Sequence, residues 1–163
     1  MRLLIFLLVF PSHLVFAQSN NWGMAASASL GTSGNRPFLQ HGIAANLAGY
    51  IEYQHNMVGV SRTVGTAVGE LDESFSETAI FYGRSFSTRW LRITGSAGIS
   101  FIKGEWEDFE EDFHHYTTNA LSLEGCFLFK PLNFIGLGLK AQHTFSRRSF
   151  EPALLLTLQA GLM

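Results

Sequence analysis

The sequence predicts an all-β protein built as an eight-stranded antiparallel barrel of up-and-down topology. Three observations predict it. Large apolar and small polar side chains alternate with period two along most of the chain. The segments that alternate are joined by connections that are long and short in turn. At 163 residues the chain has the length of one domain, so a single core is expected.

The first 17 residues have the pattern of a secretory signal peptide. Arg2 provides the positive start, residues 3–10 are an unbroken apolar run, and Ala17 precedes the expected cleavage before Gln18. The apolar run is too short to cross a bilayer core of about 30 Å. We therefore expect a signal peptide at 1–17 and one barrel domain at 18–163.

Six segments alternate clearly, and each places its large aliphatic or aromatic residues on one face. They cover residues 24–30, 45–53, 91–101, 121–129, 135–141 and 154–162. Two further strands, at about 58–68 and 78–86, have a less regular pattern. Alternation assigns no face to these two strands unless a bulge is allowed.

The connections between these eight segments alternate in length. The long or polar ones cover residues 31–42, 69–77, 103–116 and 145–151, and the tight ones cover 55–57, 87–89 and 130–133. Long outer loops and short inner turns are typical of a barrel that crosses an outer membrane. In that arrangement both termini lie on the periplasmic side.

Side-chain size indicates which face points outward. The polar face carries mainly Gly, Ala, Ser and Thr, which suit the narrow interior of an eight-stranded barrel better than a solvated surface. Aromatic residues also gather near both ends of the strands, as in the two interfacial girdles of a membrane barrel. One group is Trp22, Tyr53, Phe86, Trp90, Phe129 and Phe134, and the other is Phe101, Trp106, Tyr116, Phe145 and Phe150. The fold class predicted is therefore a transmembrane barrel with its apolar face toward lipid.

Residues 18–163 resemble the small outer-membrane β-barrel proteins, a porin-like family whose simplest members have eight strands. The resemblance rests on the repeated strands, the alternating connections and the closing strand at 153–163. It implies a monomer in the outer membrane, in contact with its lipid and inserted by the barrel-assembly machinery. The net charge of −2 favours no nucleic-acid partner, and no motif for a cofactor is present.

Five charged residues are expected to point into the barrel and form a lumen polar network: Glu52, Arg84, Arg92, Glu124 and Lys140. Burial of isolated charges is unfavourable, so ion pairs and hydrogen bonds should join them and close the lumen. The alternative is a small-solute pore lined by the same residues. The one cysteine, Cys126, is expected to be a small buried side chain.

The acidic segment 105–112 and the histidines after it belong to an outer loop. Asp112, His114 and His115 are weak candidates for metal ligands, because they have no fixed ligand spacing. A solvated acidic loop is the preferred interpretation.

An enzymatic alternative depends on His143. Some eight-stranded outer-membrane barrels remove acyl chains from lipid A, using a lipid-facing His near the outer end of a late strand. His143 has such a position, with Ser146, Ser149 and Glu151 as candidate catalytic partners, but Phe145 stands where the deacylase pattern has Ser. We expect a non-enzymatic envelope-structural or surface-interaction role through extracellular loops. A soluble periplasmic barrel that binds lipid inside is a further alternative.

Overall fold

Eight antiparallel strands join edge to edge, and the first also pairs with the last. The computed structural model describes residues 22–35, 40–67, 73–107, 113–146 and 150–162. The expected signal peptide at 1–17 lies outside the described residues. The strands are β1 Trp22–Asn35, β2 Gln40–Tyr53, β3 Asn56–Ala67, β4 Glu73–Ser87, β5 Leu91–Glu107, β6 Phe113–Leu132, β7 Ile135–Phe145 and β8 Phe150–Leu162.

The strands follow one another around the barrel in chain order, so every connection is a simple hairpin. The β1–β8 ladder runs from the Met24–Leu162 pair to the Ser33–Ala153 pair and closes the sheet. Closure leaves no free edge whose backbone groups lack partners. The predicted eight-stranded up-and-down barrel is confirmed.

Three tight turns lie at one end of the barrel, which we call the turn end; the opposite end is the loop end. Gln54 and His55 form the first turn, both at positive φ (46° and 70°), as a type I′ hairpin requires. Thr88 stabilises the second, because its hydroxyl accepts a hydrogen bond from the Leu91 amide at 3.1 Å. Asn133 and Phe134 form the third.

The bulge expected in the two less regular strands is absent from their ladder. β3 and β4 pair without interruption from Asn56–Arg84 to Thr66–Ser74. The register shifts instead between β6 and β7, at Phe129 to Leu132. Pro131 lies in this interval and has no amide hydrogen to donate, so the ladder cannot continue through it.

The strands extend farther toward the loop end than alternation predicts. Residues 103–107 and 113–116 are strand, although the sequence suggested a loop over 103–116, and β4 begins at Glu73 within the expected loop 69–77. Outward positions such as Ser76 and Lys103 are polar there, so the backbone ladder continues without the apolar outer row that marks a strand. Segments 36–39, 68–72, 108–112 and 147–149 lie outside the described residues.

The two faces of the sheet differ sharply in chemistry. Large aliphatic side chains project outward and are more than half exposed, as for Leu30 (61%), Ile99 (61%) and Leu156 (59%). Charged and polar side chains point inward, including Arg92 (0% exposed) and Lys140 (4%). The distribution is the reverse of a soluble protein's core and surface. No helix in the described residues is long and apolar enough to span a membrane.

Candidate functional site

The interior nearest the turn end is organised around Glu52 of β2. Its carboxylate forms an ion pair with the fully buried Arg92 of β5. It also accepts a hydrogen bond from Ser85 of β4 at 2.5 Å. The Arg92 guanidinium lies 5.5 Å from the centre of the Tyr50 ring, within the range of a cation–π contact. This layer joins β2, β4 and β5 across the lumen.

A second interior layer is centred on Lys140 of β7. Its ammonium group lies 2.9 Å from Glu124 Oε2 on the neighbouring β6. The same group donates a hydrogen bond across the barrel to Asn46 Oδ1 of β2 at 3.0 Å. Ser61 of β3 donates to the other oxygen of Glu124 at 3.3 Å. Lys140 therefore neutralises a carboxylate and connects opposite walls of the barrel.

A third layer surrounds Glu77, which is 2% exposed. Its carboxylate accepts hydrogen bonds from Gln142 Nε2 at 2.9 Å and from the Thr144 hydroxyl at 3.1 Å. Thr63 donates to Gln142 at 3.2 Å and accepts from Asn46 at 2.8 Å, so this layer is continuous with the Lys140 layer. Sequence reasoning missed Glu77, because its strand has no alternating pattern at that point.

Apolar side chains occupy the interior between and beside these layers. Ile102, Leu128 and Leu155 are 0% exposed, and Phe81 is 4% exposed. Interior Lys130 donates to Ser87 at 2.5 Å near the turn end. Within the described strands the interior is occupied by bonded polar groups and by these apolar side chains. The alternative of a soluble barrel with its apolar face inward is therefore wrong for this fold, because the Leu and Phe rows lie outside.

The structure places four of the five expected lumen charges inside: Glu52, Arg92, Glu124 and Lys140. It places Arg84 on the outer face, exposed, opposite Asn56 in the β3–β4 ladder. Arg84 is thus not part of the network, and that expectation is corrected. The regular β3–β4 ladder sets its orientation. Arg62 of β3 also faces outward, and the irregular alternation of that strand gave no sign of it.

Exposed aromatic residues cluster at the turn end of the outer face. Trp22 and Tyr53 pack with ring centres 4.7 Å apart, and Trp90 stacks on Phe129 at 6.4 Å. At the loop end Phe101 and Phe145 face outward. The expectation that Tyr116 also belongs to the outward aromatic group was wrong. Its ring lies over Gly104, a buried inward position, and not on the outer face. Cys126 is a free, partly buried thiol on the inward side.

His143 lies on the outer face of β7, flanked by Leu123 of β6 and Pro152 of β8. The next outward residue on its strand is Phe145, whose ring packs edge-on against the imidazole at 4.2 Å. Phe145 thus fills the place that a serine nucleophile would need. Ser146 follows the end of β7, while Ser149 and the side chain of Glu151 lie outside the described residues.

The metal candidates are only partly described. Asp112 and the side chain of His114 lie outside the described residues. His115 Nδ1 lies 3.1 Å from Glu105 Oε1, both side chains being more than half exposed. Within the described ranges no group of three or more His, Cys, Asp or Glu side chains has a geometry that could hold a metal ion.

No protein-family model matches the sequence, and no curated protein matches it. Solved structures do match the barrel. Neisserial surface protein A superposes with a TM-score of 0.70 at 9% identity, covering 88% of this chain and 99% of that one. Ail of Yersinia pestis, in complex with the heparin analogue sucrose octasulfate, gives 0.64 at 12% identity, covering 88% of this chain and 100% of that one.

The N-terminal β-barrel domain of Pseudomonas aeruginosa OprF gives a TM-score of 0.62 at 9% identity, covering 89% of this chain and 100% of that domain. At such identities the likeness concerns the fold. This chain has the closed eight-stranded barrel found in small outer-membrane proteins, with matching length and strand number.

Proposed function

We propose that the protein is a non-enzymatic barrel of the outer membrane, delivered by a signal peptide at 1–17 and inserted by the barrel-assembly machinery. The observation that carries the proposal is the inverted distribution of polarity. Outward rows of Leu, Ile, Val and Phe are about half exposed, while Arg92, Lys140 and Glu77 are buried. A lipid bilayer solvates the first set, and the second set forms ion pairs or hydrogen bonds inside the barrel.

The orientation follows from the ends of the barrel. The tight turns and the N-terminal end of β1 share the turn end, which we place in the periplasm together with both termini. The longest strands, β5 and β6, extend away from it at the loop end. The loop end is then the cell surface.

Cell fractionation tests this placement. We expect a tagged chain in the outer-membrane fraction and a band that migrates faster before heating than after, as a folded barrel does. External protease should cut within 108–112 of intact cells. A control site inserted at the Gln54–His55 turn should stay uncut until the outer membrane is opened. Recovery in the soluble periplasm would contradict the proposal.

The β5–β6 hairpin is the element best placed for surface contacts. Beyond the apolar belt its outward positions are polar and exposed, including Lys103, Glu105, His115 and Thr117. Cross-strand partners Glu105 and His115 are in contact, with His115 Nδ1 3.1 Å from Glu105 Oε1. Five further acidic residues follow Glu105 in the sequence before β6 begins: Glu107, Asp108, Glu110, Glu111 and Asp112. A rigid strand pair that presents acidic groups suits a cationic partner.

The negative charge of the β5–β6 hairpin argues against the kind of ligand that one structural neighbour binds. Ail binds a heparin analogue, which is a polyanion. The acidic residues of this hairpin would repel such a ligand. We therefore propose surface interaction with a cationic partner.

Binding to immobilised polylysine and heparin tests this choice. The purified barrel in uncharged detergent should bind polylysine and not heparin. Asp108→Asn with Asp112→Asn should weaken polylysine binding at least fivefold at low salt, because two attractive charges are lost. The matched control, Glu70→Gln with Asp72→Asn, changes the same charge in another connection and should have a smaller effect. Preferential heparin binding, or equal effects of both pairs, would contradict the proposal.

A further inference from the structure

Arg84, like Arg62 of β3, is a charged side chain on the face that carries the apolar belt. It is exposed, and within the described residues it makes no hydrogen bond or ion pair. Phe86 (63% exposed) lies beside it toward the turn end, and Val58 (55%) and Ile80 (57%) lie toward the loop end. A cation among lipid-facing side chains is unfavourable unless it reaches an anionic group.

Polar groups beside Arg84 continue toward the turn end. Its cross-strand partner is Asn56, whose side-chain oxygen accepts a hydrogen bond from the Tyr82 hydroxyl at 2.9 Å. The Asn56 amide donates to the backbone carbonyl of Gln54 at 3.2 Å, in the turn itself. A guanidinium, an amide and a phenol therefore form one polar patch between the belt and the turn end.

A lane of small side chains starts at Arg84 and crosses three more strands. The cross-strand partners are Gly95 on β5, Gly125 on β6 and Ala141 on β7. A Cβ atom added at Gly95 or Gly125 would meet no atom within 4 Å, so both glycines leave open space on the outer face. Larger side chains border the lane, with Phe127 on one side and Leu123 on the other.

The lane climbs from the turn end toward the middle of the belt. Arg84 is close to the end of β4 at Ser87, whereas Ala141 is well inside β7, which begins at Ile135. Three interstrand steps span about 14 Å across the strands, and a strand tilt of about 40° converts this into a rise of about 9 Å toward the bilayer centre. Beyond Gly125 and Ala141 the lane opens into a shallow groove of about 690 Å³ that reaches Leu123, His143 and Leu154.

We propose that this face binds a glycerophospholipid of the leaflet at the turn end, with its phosphate at Arg84 and the Asn56 amide and one acyl chain in the Gly95–Gly125–Ala141 lane. The inference rests on the membrane placement proposed above. Charge complementarity identifies the occupant, because a planar guanidinium pairs with phosphate oxygens through two hydrogen bonds. The slope of the lane matches a lipid whose head is at the turn end and whose tail points to the bilayer centre.

Native mass spectrometry of the full folded chain in uncharged detergent tests the site, with phosphatidylglycerol as the probe. Diacylglycerol with the same acyl chains lacks the phosphate and should be retained at least tenfold less. Arg84→Leu should lower retention of phosphatidylglycerol at least tenfold, and Arg84→Lys should keep an intermediate amount. Gly125→Phe should also lower it, because the ring would fill the lane while the charge is unchanged.

Arg62→Leu is the matched control, since Arg62 is the other outward arginine of β3 and β4 and lies away from the lane. It should retain the lipid within twofold of the unchanged chain. Equal retention by Arg84→Leu, equal loss in Arg62→Leu, or equal binding of diacylglycerol would overturn the proposal. So would a chain dimer that Arg84→Leu dissociates, because the face would then be an interface between copies. Gel mobility before and after heating verifies that each variant is folded.

The two proposals fail separately. The mass-spectrometric measurement of lipid retention uses purified protein and does not depend on where the cell places the chain. Loss of phosphatidylglycerol binding would leave the outer-membrane placement intact, and a periplasmic location in cells would leave the titration interpretable.

Discussion

The interior carboxylates described above are each paired with a cation or held by hydrogen bonds. Glu52 pairs with Arg92, Glu124 pairs with Lys140, and Glu77 receives hydrogen bonds from Gln142 and Thr144. Removal of one member of a buried pair leaves its partner unsatisfied, which costs more than the pair itself contributes. The interior therefore tolerates paired changes better than single ones.

Lys140→Met should lower the free energy of unfolding by about 3–5 kcal/mol, because Glu124 loses its cation inside the barrel. Adding Glu124→Gln should recover most of the loss. Urea-induced unfolding of the barrel in lipid vesicles measures both values. A double variant as unstable as the single one would mean that the unpaired Glu124 carboxylate is not the cause of the destabilisation.

The sequence predicts which way a side chain points only where hydrophobicity distinguishes the two faces of its strand. It does so around Glu124 and Lys140, where every second residue is apolar. In β4 it does not, because Phe81 points inward while Tyr82 and Ile80 point outward. Because β4 has large side chains on both faces, its sequence does not show which residues point outward. The pairing of β4 with β3 and β5 is what places Arg84 outside and Glu77 inside.

At the scale of elements, the hairpin turns differ in how well their residues suit the backbone. Gln54 and His55 occupy the left-handed region without the residues that favour it. Thr88, by contrast, uses its side chain to hold its turn closed. We therefore expect substitutions in the first turn to increase the stability of the barrel and loss of the Thr88 side chain in the second turn to decrease it.

Gln54→Asn with His55→Gly should stabilise the barrel by about 1 kcal/mol, because these residues adopt positive φ with less strain. Thr88→Ala should destabilise it by about 0.5–1.5 kcal/mol through the lost hydrogen bond. The same urea titration provides both measurements. Destabilisation by the first change would contradict the type I′ assignment.

Close approach of neighbouring strands should make Gly138 of β7 irreplaceable. A Cβ there would collide with the backbone carbonyl oxygen of Phe127, whereas a Cβ on Gly49 would meet nothing within 4 Å. Gly138→Ala should lower the folded yield in vesicles at least fivefold, and Gly49→Ala should leave it unchanged. Equal yields would show that the β6–β7 contact relaxes easily.

Strand existence and order could be predicted from period two, but strand ends could not. Alternation reports an apolar row facing lipid, so it stops where the outward positions become polar, as at Ser74 and Ser76 or at Lys103 and Glu105. The backbone ladder continues through these positions because its hydrogen bonds do not depend on the side chains. The β6–β7 register shift follows Pro131, a signal that the sequence does contain.

The described barrel combines an interior filled with polar and apolar side chains with an apolar exterior. Bonded layers from Glu52 to Glu77 and the buried Leu128 and Leu155 occupy the lumen. An eight-stranded barrel has an interior just wide enough for its side chains. We therefore expect no open pore through the described strands.

Planar-bilayer recording tests whether the barrel interior conducts ions. The reconstituted barrel should give no discrete conductance steps above the protein-free bilayer, in 1 M salt or below. A larger barrel that is known to conduct serves as the positive control. Stable ohmic steps that disappear after heat denaturation would show that the charged layers form an ion path.

The most direct test of the central claim is a spin-label scan of β8 in lipid vesicles, with single cysteines from 153 to 159 in a Cys126→Ser background. Leu154, Leu156 and Leu158 face outward, while Leu155, Thr157 and Gln159 face inward. We predict oxygen accessibility that alternates with period two, with maxima at 154, 156 and 158 and low access to a water-soluble relaxation agent there. Maxima at 155, 157 and 159, or high water access at the outward leucines, would contradict an inside-out barrel.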